Sequence, residues 1–85
     1  MTPVVTDKDW QEKAKRLLKA QLAANGVSQK ELSQRLEKIG IKESPANIAN
    51  KLSRGGFSAA FLLQCMAAIG VTSLPMPQVE TTEVP

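Results

Sequence analysis

The 85-residue sequence contains no histidine, no tyrosine, one cysteine and three aromatic residues, Trp10, Phe57 and Phe61. With no imidazole and a lone thiol at Cys65, neither a disulfide nor a nitrogen- and sulfur-ligated metal site can be built within the chain. Histidine bases and phosphate-cradling glycine loops are also missing, and the carboxylates are scattered along helix surfaces, so an enzyme is the class least expected. Cys65 lies inside the apolar run "AAFLLQCMAAI". It reads as a small core or interface residue, because a reactive thiolate needs a basic or helix-start environment. The first ten residues, "MTPVVTDKDW", lack a charged-then-apolar leader pattern, and no apolar run approaches the roughly 20 residues needed to cross a bilayer. The expectation is a cytoplasmic protein without cofactor, metal, membrane contact or small-molecule ligand.

What the sequence does have is positive charge in one region. Residues 13–54 hold ten Lys/Arg against three Glu, a net of +7 within a chain whose formal charge is +3. Such a body attracts a polyanion, although a solvated basic surface serves solubility equally well. The length suits one domain with one core, and the scarcity of aromatics makes that core aliphatic.

Apolar spacing follows the helical period in four segments, and no segment alternates as a half-buried strand does, so the fold class is all-α. The first helix runs from about Asp7 to Ala24, with Trp10, Ala14, Leu17, Leu18 and Gln21 on the inner stripe and Glu12, Lys15, Arg16 and Lys19 facing away. Thr6 and Asp9 form a capping box at its start, and Gly26 follows its end. The second helix, 28–39, opens on Ser28 with Glu31 completing a capping box and Val27 stapled onto Leu32. It buries Leu32, Leu36 and Ile39, and Gly40 terminates it. Ser44-Pro45 starts the third helix, which spans 45–54 and stops at Gly55-Gly56. Phe57 and Ser58 open a fourth helix over 59–69, stapled against Leu62, with Gly70 beyond. Residues 6–71 make up the helical domain, 1–5 a flexible N-terminus, and 72–85, with three prolines and two glutamates, a disordered C-terminal tail.

The third helix carries an unusual selection. Ile48, Ala49 and Leu52 share one side, while Asn47, Asn50, Lys51 and Arg54 share the other. Amides pair with adenine edges and cations with guanine or phosphate, so this stripe suits a major groove, although most polar stripes are merely solvated. The fourth helix is apolar nearly all round, more than three neighbours can cover. A two-fold homodimer through Phe61, Leu62, Cys65, Met66 and Ile69 is the expected cover, with plain burial inside the monomer as the alternative. The competing reading is a protein-interaction module in which the apolar helix 59–69 docks a partner and DNA has no role.

The stretches "GVSQKELSQRL", "NIANKLSRG" and "LLQCMAAIG" resemble the Cro and phage-repressor type of helix-turn-helix domain over about residues 10–71. The resemblance implies a compact four-helix, lambda-repressor-like fold and binding of double-stranded DNA as a dimeric transcriptional regulator. It implies a backbone phosphate contact by Gln29 and base reading by Asn47, Asn50 and Lys51, with Arg54 able to do either; Lys30 and Lys42, cations beside the pair, are further expected phosphate contacts. About five more residues separate Leu36 from Ser44 than that pattern has, which lengthens the second helix by about a turn. More closely, the whole chain resembles a family of small bacterial proteins of unknown function that share "SRGGFSAAFLLQC".

Overall fold

Each of four serine or threonine side chains accepts a hydrogen bond from the backbone N–H three residues on, and each of those contacts starts a helix. In the computed structural model, which describes residues 6–76, the helices are α1 (Asp7–Ala24), α2 (Gln29–Lys38), α3 (Pro45–Arg54) and α4 (Ala59–Ala68). Thr6 caps α1 through Asp9 N, Ser28 caps α2 through Glu31 N, Ser44 caps α3 through Asn47 N, and Ser58 caps α4 through Phe61 N. Among the described residues there is no strand, and the chain is an all-α domain. The expectations for residues 1–5 and 77–85 lie outside the described residues. Thr72–Met76 carry no helix.

The box at Thr6 is reciprocal: Asp9 Oδ2 accepts from Thr6 N at 2.9 Å and from its hydroxyl at 3.1 Å. Those two bonds, the backbone one foremost, hold the Asp9 carboxyl below its ordinary 3.8. Their support is present above the unfolded carboxylate pKa and is lost as pH falls through the depressed one. At Ser28 the box is only half made. Glu31 turns forward instead, and its Oε2 accepts from Arg35 Nε at 3.0 Å and Nη2 at 2.6 Å. A guanidinium one turn away offers two charge-assisted bonds, against the single amide bond of the box.

Three of the four helices end alike. The N–H groups of Val27, Ile41 and Val71 reach back to the carbonyls of Leu22, Leu36 and Met66, each at 2.9 Å, across a glycine of positive φ. This closure folds the apolar residue after the glycine back onto the core. Val27 is buried, and Ile41 and Val71 pack against the buried cluster. Gly40, with φ +86°, thus terminates α2 as expected. Ile39, the C-cap residue, does not join the core and is 49% exposed, because the closure brings Ile41, two residues on, back against the core in its place. The extra residues before Ser44 do not extend α2, which stops at Lys38; they form the non-helical connection to Ser44.

α1 and α2 each pack across both α3 and α4. Between them lie Leu18, Leu22, Val27, Leu32, Leu36, Ile48, Leu52, Phe61, Cys65, Met66 and Ile69. On α1 the buried face is set by Leu18 and Leu22, with Ala14, Leu17 and Gln21 half-buried. Trp10, expected on that stripe, is 43% exposed. It stands more than two turns ahead of the buried leucines, beside the α3–α4 loop rather than over the core. Phe57 meets Phe61 across the cap, edge to face with centroids 5.5 Å apart.

Burial pushes the Cys65 thiol up to about 12, with Glu43 nearby adding to the effect. We therefore expect the folded chain to resist thiol alkylation at pH 8, and denatured chain to react at once. Rapid labelling of native protein would place Cys65 at a surface.

Candidate nucleic-acid interface

α3 is amphipathic because its two buried residues, Ile48 and Leu52, lie one turn apart and leave the far side to water. Asn47, Asn50 and Arg54 are exposed there. None of their side chains makes a hydrogen bond or ion pair within the described residues. The fold does not use these three groups, so they are free to meet a ligand.

Lys51 is different. Its Nζ lies 2.6 Å from Glu43 Oε2 and 4.4 Å from the centre of the Phe61 ring. The Glu43 side chain is only 12% exposed, and the Ser33 hydroxyl donates to the Glu43 backbone carbonyl. One lysine therefore ties the α2–α3 connection to α3 and α4 through an ion pair and a cation–π contact. Periodicity placed Lys51 with Asn47, but the long side chain folds back along the helix toward a carboxylate that sequence spacing could not locate. Lys51, expected to read bases, thus also anchors α3 to the elements around it. Glu43→Gln leaves the lysine over Phe61 without its charge partner. We expect a loss of about 1–2 kcal/mol in urea unfolding, less than for a fully buried pair because Lys51 is partly solvated.

Gln29, Lys30 and Lys42, the expected phosphate contacts, are all exposed. Lys30, Lys42 and Arg54 have no ion pair among the described residues, whereas Glu12 lies within ion-pair reach of Lys15 and Arg16, and Glu31 pairs with Arg35. Lys15, expected to face away, is half-buried and donates to the Ser53 carbonyl at 3.3 Å. Sequence reasoning missed this tether and the seat of Gly55 and Gly56 on Gln11. Together these contacts hold the C-terminal end of α3 against α1.

The expected interface residues of the apolar fourth helix lie largely inside the single chain. Phe61, Cys65, Met66 and Ile69 are buried within the single chain and Leu62 is half-buried. Four of the five are thus taken up by the monomer's own core, where α4 packs against α1 and α2. The large apolar residue that α4 leaves outside is Leu63, 62% exposed.

The arrangement defines a small all-α domain of four capped helices, with a third helix turning unengaged amides and a cation to solvent. The "SRGGFSAAFLLQC" stretch supplies the loop that seats this helix and most of α4. The chain belongs to the DUF6471 family, described as a domain of unknown function, whose model matches residues 10–74. No curated protein and no solved structure matches it.

Proposed function

We propose that this chain binds duplex DNA through a helix-turn-helix made by α2 and α3 and acts as a transcriptional regulator. The observation that carries the reading is the exposed set Asn47, Asn50 and Arg54 at helical spacing, with no task inside the fold. α3 enters the major groove, where asparagine amides pair with adenine and arginine with guanine. α2 lies across the backbone, with Gln29, Lys30 and Lys42 near phosphates. Lys51 contributes indirectly by fixing the angle at which α3 leaves the core. A dimer would present two such helices to a palindromic site.

An anisotropy titration with mixed-sequence duplex at two salt concentrations tests the reading. Affinity should fall steeply with salt, each phosphate contact adding about 0.9 to the log–log slope. Binding no stronger or more salt-sensitive than that of a globular control of equal charge would overturn it. On a selected site, Asn50→Ala and Arg54→Ala should each weaken binding by about 1–3 kcal/mol, and Lys30→Ala should weaken all sequences alike.

The second reading, a protein-docking module, is favoured by the exposed Leu63 on α4. Loss of self-association or partner binding in Leu63→Glu, with no duplex binding by the unaltered chain, would select it.

A further inference from the structure

Trp10 is the sole tryptophan of the chain, and it lies open to solvent beside a concavity. With Gln11, Phe57 and Gly56 it lines a notch of about 240 Å³ between α1 and the α3–α4 loop. A second concavity of about 570 Å³ runs on from it and shares Gln11, Gly56 and Phe57 while adding Lys51 and Arg54. The two adjoin through these shared residues as a trough with Trp10 in its first part, Lys51 and Arg54 in its second, and Phe57 in both.

We infer that this trough binds an unpaired nucleobase together with its phosphate. A base offers a flat face to Trp10 and Phe57, and stacking of that kind tolerates every base. Arg54, which has no ion pair among the described residues, offers a planar fork to a phosphate. Lys51 adds little net charge because Glu43 neutralises it. Asp7 lines the notch at the Trp10 end and repels an anion there, which fixes the polarity: base toward Trp10, phosphate toward Arg54. An acidic peptide would satisfy Arg54 but leave the aromatic end empty. Paired bases in a duplex cannot present their faces, so the site goes beyond the duplex reading, and only Arg54 belongs to both.

The base can come from single-stranded nucleic acid or from a free nucleotide. Because no other residue contributes indole emission, tryptophan fluorescence reports this trough alone. The full chain is titrated with a single-stranded oligodeoxyadenylate and, separately, with adenosine monophosphate. Saturable quenching by the oligomer supports a strand as the source, and equal quenching by the nucleotide supports a free ligand. Absence of quenching by both at millimolar concentration overturns the site. A labelled oligomer followed by anisotropy supplies the variants: Trp10→Ala and Arg54→Ala should each weaken it about tenfold, with helicity retained by circular dichroism. Asn47→Ala and Asn50→Ala should leave it unchanged while weakening duplex. Oligomer binding that Trp10→Ala does not alter would assign the contact to the general cationic surface and overturn the proposal, whatever the duplex result.

Discussion

Leu36→Ala should lower the unfolding free energy by about 3 kcal/mol, within the range of about 2–5 kcal/mol for truncating a buried leucine. Leu36 is fully buried, and α2, which carries it, packs on both α3 and α4. Its removal leaves a cavity where three helices meet, and the short helices around it can collapse only in part. For a domain of 85 residues the whole stability is of order 4–13 kcal/mol, so the loss is a large fraction of it. The melting temperature should drop by about 4–8 °C for each kcal/mol lost. Urea unfolding checks the value, with an unchanged m-value showing that the same surface is exposed. A change below 1 kcal/mol would mean that α2 is not part of the common core.

Gly55→Ala should cost nearly as much, about 3 kcal/mol, for a different reason. Gly55 has φ 71° and ψ −167°, a conformation essentially confined to glycine and costing roughly 1–3 kcal/mol for other residues. A Cβ there would also lie 3.3 Å from the backbone carbonyl oxygen of Gln11, which cannot swing away as a side chain can. Both penalties fall on the loop that seats the end of α3 against α1. The control is Gly26→Ala: φ is +65°, but nothing lies within 4 Å of the new Cβ, so only the left-handed cost of about 1 kcal/mol remains. Equal losses in the two variants would remove the close approach to Gln11 as a cause. Gly55→Ala should also loosen Arg54, the preceding residue, and weaken whatever ligand Arg54 holds.

The two variants separate kinds of information that the chain carries. Capping and helix termination act within six residues, so the starts at Thr6, Ser28, Ser44 and Ser58 and the stops at Gly26 and Gly40 could be read directly from the order of residues. The buried faces of α2 and α3 were legible for a related reason: Leu32 with Leu36, and Ile48 with Leu52, recur at one turn, and no other apolar stripe competes on those helices. On α4 nearly every position is apolar, so periodicity carried no phase, and four of the five proposed interface residues lie in the monomer's own core.

Long side chains were the other point at which residue order fell short. Glu31 chose Arg35 over the amide of its own cap, and Lys51 left the outer stripe for Glu43, eight residues earlier in the chain. Both outcomes depend on which charges lie within a few ångströms. Exposure of Trp10 and Ile39 likewise depends on where neighbouring helices end.

By itself, then, the order of residues determined four helices, their ends, the aliphatic character of the interior and the amide-rich outer side of α3, because each follows from hydrogen bonding and burial within a turn or two. Tertiary structure alone decided which side of α4 is inside, which cation anchors α3, how Gly55 meets α1 and that an indole borders an open trough. Those features arise from distances between segments far apart in the chain, and local spacing holds no record of such distances.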